Sequence, residues 1–347
     1  MKHIVCWSCI LLLLVPIRPL KSDEHLLKGA GATFPYLLYK KWIKEYNRKK
    51  NVRVSYQAVG SGKGIELLIN KKVCFGGTDA YIPDKKLKKL PDTILHIPTC
   101  LGAVVIFYNI PGNPKLKFTP DVLADIFMGR IRKWSDKRIQ RINSGTQLPE
   151  LNISVVHRSD GSGTTFIFTS YLSRISREWK KKVGEGKKVR WPVGMGVDKN
   201  DGVAGFVKKI SGSIGYVQLA YAKNRGLPVA ALKNSSGRFI TPTLRSVSAA
   251  AQCTLPADTR TMIIDTPATD GYPISAFTWL IFYKEQKYGK HDTSTARQLV
   301  DFLWWTIHDG QRYAESLLYS PLPKSAVRKA EKIIQSVTVD GKPVLQR

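Results

Sequence analysis

A chain of 347 residues is long for one domain and comfortable for two, and its 43% hydrophobic content is enough for packed cores, which excludes a disordered or fibrous protein. Lys and Arg number 55 against 26 Asp and Glu, a surplus that raises nucleic acid as a partner. The basic residues are spread over the whole length and form no recognised nucleic-acid module, so no nucleic-acid partner is expected and the surplus reads as a solvated surface able to steer small anions.

In chain order, residues 1–22 open with Lys2 and His3, continue as an apolar stretch from Ile4 to Val15 and then turn polar. That stretch is short for a bilayer span, so the segment reads as an export signal cleaved near Ser22, with a retained N-terminal anchor as the alternative. Its removal leaves a mature chain of net charge about +26. Next, LLKGAGATFPYLLYKKWIKEY predicts a short strand, a glycine-rich loop and a helix. Pro35 marks the helix start, because proline lacks the N–H that would go unpaired in a first turn. Leu38, Trp42 and Tyr46 follow at helical spacing as a core face.

NVRVSYQAVGSGKGIELLIN repeats the scheme: Val52, Val54 and Tyr56 alternate as a strand, GSGKG turns, and Ile65, Leu68 and Ile69 form a helix face. VCFGGTDAYIP then ends a strand-like run in Gly76-Gly77-Thr78-Asp79, where Asp79 serves either a ligand or the cap of the next turn. HRSDGSGTTF, residues 157–166, lies between the apolar runs Ile153, Val155, Val156 and Phe166, Ile167, Phe168, so it too reads as strand, loop and helix start. The first N–H groups of a helix lack internal partners and carry the positive end of its dipole, so Ser162, Gly163 and Thr164 favour an anion. Three hydroxyl-bearing loops before helix starts, around Thr33, Ser61 and Ser162, suggest helix N-termini converging on one ligand.

Catalytic signals are lacking. GSGKGI is not the eight-residue nucleotide-binding loop, and no Gly-x-Ser-x-Gly elbow makes a nucleophile of Ser61 or Ser162. Cys74, Cys100 and Cys253 remain after cleavage, an odd count that allows at most one disulfide. No Cys or His spacing suggests a metal site, and no cofactor is expected. His157 alternates with Arg158 along its strand, which turns it away from the loop and gives it a structural role.

Together GAGATFP, YQAVGSGKGI, FGGTDA and HRSDGSGTTF resemble, in order, the motifs of the periplasmic phosphate-binding proteins of the phosphate ABC transporter, the PstS type. DVLADIFMGRIRKWSD, the VRWPVGMGVDKNDGVAGFV run, SGSIGYVQLAYAK and YPISAFTWLIFYKEQ are similar to further segments of that family. The resemblance extends from about Lys28 to at least Gln286.

It implies an α/β, two-lobed periplasmic-binding-protein fold with a hinge and a ligand cleft. Lobe one would be residues 23–100 and 276–347 and lobe two residues 101–275, with crossings near Thr99 to Gly102 and Pro273 to Thr278. The implied function is binding of inorganic phosphate in the periplasm by a soluble monomer that is not an enzyme, with delivery to the membrane permease subunits of an ABC importer. Carried over by motif, the phosphate shell is Thr33, Phe34, Ser61, Asp79, Arg158, Asp160, Ser162, Gly163 and Thr164. Lys63 stands where a smaller residue is commoner. A binder of another tetrahedral oxyanion and a secreted phosphatase are the alternatives.

Overall fold

Eight strands form one sheet that serves both lobes: β1 (Leu26–Gly31), β2 (Arg53–Ala58), β3 (Phe75–Thr78), β4 (Ile94–Asn109), β5 (Ser154–Arg158), β6 (Met195–Val197), β7 (Ser213–Gln218) and β8 (Ser275–Tyr283). The computed structural model describes residues 26–50, 52–289 and 291–345; the expected export segment, residues 1–22, lies outside the described residues. Strand order is β2-β1-β3-β8-β4-β7-β5-β6. β1 pairs in parallel with β2 and β3, and β5 in parallel with β7 and β6. Between these parallel groups, β8 and β4 run antiparallel to their neighbours.

β4 is the element that makes two lobes from one sheet. Its first part pairs with β8, from Ile94 opposite Tyr283 to Ala103 opposite Ser275. Its second part pairs with β7, from Val104 opposite Gln218 to Asn109 opposite Ser213. β4 thus changes partner between Ala103 and Val104, and β8 begins at Ser275. The β4–β8 register shifts between Thr278 and Trp279, where Pro98 and Cys100 are the partners and Thr99 is left over. Proline donates no ladder hydrogen bond, and a bulge beside it bends the strand where the lobes meet. The extra residue is held by its hydroxyl, 2.7 Å from Tyr39 Oη.

Each lobe packs helices on its sheet through aromatic side chains. In lobe one, α1 (Tyr36–Lys49) turns Tyr39, Trp42 and Tyr46 inward, and the Trp42 indole N–H donates to the Gly310 carbonyl at 2.7 Å. In lobe two, Trp134, Phe168 and Tyr216 are buried among Tyr108, Phe127 and Trp191. Both strand-to-helix schemes read from the first 70 residues are present, with Pro35 immediately before α1; α2 (Ser61–Ile69) begins inside the expected GSGKG turn, with Gly60 as its N-cap, so the helix starts earlier than the turn composition suggested. The described cysteines are unpaired, with Cys74 and Cys100 buried and Cys253 exposed. Among the described residues, no helix is long and apolar enough to cross a membrane.

α2 rests directly on β1. A Cβ at Gly64 would sit 2.4 Å from Gly31 Cα and 2.8 Å from the Ala30 carbonyl oxygen, both backbone atoms. Gly64→Ala is therefore expected to lower stability by about 1–3 kcal/mol, the usual cost of overpacking. Thermal unfolding of the ligand-free protein checks this; an unchanged Tm would show that α2 and β1 are not held this closely.

Candidate anion-binding site

The segments expected to meet all leave the C-terminal ends of strands. β1 leads through Thr33 and Phe34 to α1, β2 leads to Ser61 at the start of α2, and Asp79 directly follows β3. On the opposing lobe, β5 ends at Arg158 and leads through Asp160 and Ser162 to α3 (Gly163–Ile175), while β6 leads to α4 (Lys199–Lys209). Parallel strands followed by helices present helix N-termini along one edge, and here the edges of two lobes face each other.

The lobes touch through backbone. Gly62 N–H donates to the Gly161 carbonyl at 2.8 Å, which joins the α2 loop to the α3 loop across the cleft. Gly163 allows the closest approach: a Cβ there would lie 2.4 Å from Ser61 Oγ and 2.5 Å from Asp79 Oδ2. Any side chain at this position would force the lobes apart.

Arg158 is 3% exposed. Its Nε donates to Asp160 Oδ1 at 2.6 Å and its Nη2 to Asp160 Oδ2 at 2.5 Å, so the carboxylate grips one edge of the planar guanidinium. The other terminal nitrogen, Nη1, is buried without a hydrogen-bond partner among the described residues. A buried donor left unpaired costs about 1–3 kcal/mol, which a ligand acceptor would recover. Burial opposes ionisation of Asp160, but the Arg158 hydrogen bonds and charge and the Lys199 N–H outweigh it and hold the carboxyl below its ordinary range.

Asp79, 1% exposed, stands on the other lobe in the reverse condition. Burial pushes its carboxyl up to about 7, against the smaller opposing effects of the Thr278 hydrogen bond, the Arg158 charge and Ser61. Thr278 Oγ donates to Oδ1 at 2.6 Å, and Ser61 Oγ lies 3.4 Å from Oδ2. The site thus holds one carboxylate committed to a cation and one whose proton is exchangeable near neutrality.

The hydroxyls expected at the site are all buried. Ser162 Oγ caps α3 by accepting from the Thr165 N–H at 3.0 Å, which leaves its own proton to donate. Phe34 is fully buried, and its carbonyl accepts from Tyr319 Oη at 2.6 Å. All nine residues expected at the site lie in these segments. Asp79 bonds Thr278 and Ser61 and caps no turn among the described residues, and His157 stacks on Trp191 with ring centroids 4.8 Å apart, away from the loop. Lys63 is exposed on α2 and paired with Glu66 at 2.6 Å.

Sequence reasoning did not single out Asn200, Thr278 or Tyr221. Asn200, fully buried near the start of α4, bonds Thr33 and Thr164. Tyr221 Oη donates to the Thr33 carbonyl at 2.7 Å. Asn200 follows the same strand, loop and helix signal as Ser162, in VGMGVDKNDG, and was readable on that ground. Thr278 stands inside an apolar strand and Tyr221 inside a short helix, so neither had a local cue.

A model of the PBP superfamily domain matches residues 21–309. The chain is 38% identical to the phosphate-binding protein PstS of Pasteurella multocida over 346 residues, which is 98% of this chain and 99% of that protein. It is 42% identical to the PstS of Methanocaldococcus jannaschii over 315 residues, or 84% of this chain and 81% of that protein. Among solved structures, a high-affinity periplasmic phosphate-binding protein (PfluDING) determined with bound phosphate at pH 8.5 superposes with a TM-score of 0.71 at 21% identity, covering 88% of this chain and 93% of that one. At that identity the superposition establishes the two-lobed fold.

Asp79 makes the stability of the ligand-free protein pH-dependent. Its folded-state value of about 7 lies above that of an unfolded aspartate, near 4. Its contribution is therefore fully present below about pH 4 and lost as pH rises through about 7. Relative to Asp79→Asn, the ligand-free wild type should lose Tm progressively between about pH 4 and 7, the range those two values bracket, and level off above it. Parallel Tm curves for the two proteins would show that Asp79 is not desolvated as described.

Proposed function

We propose that this chain, which belongs to the PstS-type phosphate-binding proteins of the PBP superfamily, captures inorganic phosphate between its two lobes and delivers it to an ABC importer. The observation that carries the reading is a buried carboxylate, Asp79, across the cleft from a buried guanidinium, Arg158, with one nitrogen unpaired. A carboxylate facing an anion repels it unless the anion donates a proton. Phosphate keeps a proton near neutral pH and can donate it to Asp79; sulfate has none, and would leave two buried negative groups face to face.

The other residues have roles that follow from their bonds. Arg158 offers Nη1 to a phosphate oxygen while Asp160 fixes its plane. Thr33, Ser61, Ser162 and Thr164 supply hydroxyls, and the backbone N–H groups of Phe34 and Gly163 complete the shell. Charge-assisted hydrogen bonds contribute roughly 1.5–3 kcal/mol each. Six to ten of them surpass the approximately 8 kcal/mol of a micromolar complex, which leaves a margin for lobe closure and ligand ordering.

The protein works by binding and closure, without chemistry on the ligand. Among the described residues no histidine bonds Ser61 or Ser162, which leaves both hydroxyls as donors. Lobe one comprises residues 23–100 and 276–347 and lobe two residues 101–275, with Thr259 and Arg260 reaching back to bond His96 and Ile82 of lobe one. After export the mature chain acts in the periplasm, as a monomer, with the permease subunits of the importer as its partners. Its surplus of lysines attracts phosphate at long range, an effect that salt screens over roughly 8–10 Å.

Calorimetry on the mature protein, stripped of ligand, should give one-to-one phosphate binding and no appreciable sulfate heat at pH 8. Asp79→Asn should bring the two affinities closer, since an amide can donate to sulfate. In the wild type, sulfate should gain ground as pH falls below about 7 and Asp79 takes up its own proton. Equal affinities for both anions at pH 8 would remove phosphate selectivity from the account. Arg158→Ala should weaken phosphate binding by roughly 2–5 kcal/mol, mostly through faster release; unchanged release would take Arg158 out of the site.

A further inference from the structure

Asn200 is joined to both lobes at once. Its side-chain Oδ1 accepts from the Gln218 N–H at 3.2 Å, which fixes which way the amide faces. The Nδ2 amino group is thereby turned to the cleft, where it donates to Thr33 Oγ at 2.8 Å and to Thr164 Oγ at 3.2 Å. Thr33 belongs to the loop after β1 in lobe one, whereas Asn200, Gln218 and Thr164 belong to lobe two. Asn200, Thr33 and Thr164 are all buried.

An amide NH2 donates and cannot accept. Both threonine hydroxyls are therefore forced to accept from Asn200, and each is left with its single proton to donate elsewhere. A free hydroxyl is ambivalent, and turning its proton away from an anion presents a lone pair to it. We propose that Asn200 is a positioning residue that makes obligate donors of Thr33 and Thr164 and, because its two bonds span the cleft, couples anion binding to lobe closure. This rests on the phosphate reading of the site and adds to it a reason for closure. The Thr33 bond can exist only when the lobes are together, and it is strongest when an anion takes the proton that the hydroxyl then points into the site.

The coupling has a partner in Tyr221, whose hydroxyl donates to the Thr33 carbonyl from lobe two. Thr33 is thus held from lobe two on its backbone by Tyr221 and on its hydroxyl by the side chain of Asn200 and, at 3.4 Å, by the Asn200 backbone N–H. Tyr221 secures the position of the loop, and Asn200 sets the direction of the proton.

The test compares Asn200→Ala, Asn200→Ser and wild type by stopped-flow phosphate binding, with Tm of the ligand-free proteins as a folding control. Serine keeps a polar group at the position but is too short to reach both threonines, so it reports on the role even if the alanine variant is poorly folded. Each variant should raise the phosphate Kd about 10- to 100-fold, as expected for losing two hydrogen bonds of ordinary strength, with the change in the release rate. In a Thr33→Val, Thr164→Val background the same substitution should cost less than about threefold more, because the hydroxyls it orients are gone. A release rate unchanged by Asn200→Ser, or a loss that is fully additive in the double-valine background, would overturn the positioning role. Failure of the wild type itself to bind phosphate would instead sink the reading of the site on which it rests.

Discussion

The arrangement on which the rest depends is the unequal treatment of two carboxyl groups, Asp79 buried and Asp160 half-buried, by one arginine. Arg158 commits two nitrogens to Asp160 and leaves Nη1 unpaired, while its charge reaches Asp79 only weakly. Asp160 is therefore held ionised, and burial drives Asp79 the other way, to about 7. A site with both aspartates paired would have no acceptor for an anion's proton. With neither paired, it would repel every anion.

This asymmetry requires the lobes to close without admitting bulk at their contact. Glycines supply that condition where loops touch, at Gly62 against Gly161 and at Gly163 against Ser61 and Asp79. The sheet supplies the rest. A single long strand, β4, carries the chain through both lobes, and the bulge around Thr99 beside Pro98 places an irregular ladder next to the crossing. The hydroxyl of Thr99 and the carbonyl of Thr278 bond each other at this point, and Thr278 also bonds Asp79, so the hinge strands and the anion site share a residue.

Much of this was legible in the sequence because the site is built from local signals. Pro35, the GSG segment at Ser61 and the Ser162 cap are each short-range features, and each stands at the start of a helix whose apolar face has clear periodicity. Asp79 was ambiguous on local grounds, since an aspartate after a Gly-Gly-Thr strand end is also good turn composition; its burial and its bond from Thr278, nearly 200 residues away in sequence, have no local signal. Asn200, Thr278 and Tyr221 act through contacts between distant segments, and the first of them alone carried a helix-start signal. No local cue marks a crossing in β4, because the strand is continuous there and only its partner changes, from β8 to β7.

Selection by proton donation requires a proton between Asp79 and a phosphate oxygen, and neutron diffraction of the phosphate complex at pH 8 would locate it. The expected result is a deuteron on the line between Asp79 Oδ2 and one phosphate oxygen, with Arg158 Nη1 donating to another. A phosphate whose oxygens avoid Asp79, or one separated from it by a water or a cation, would contradict selection by proton donation.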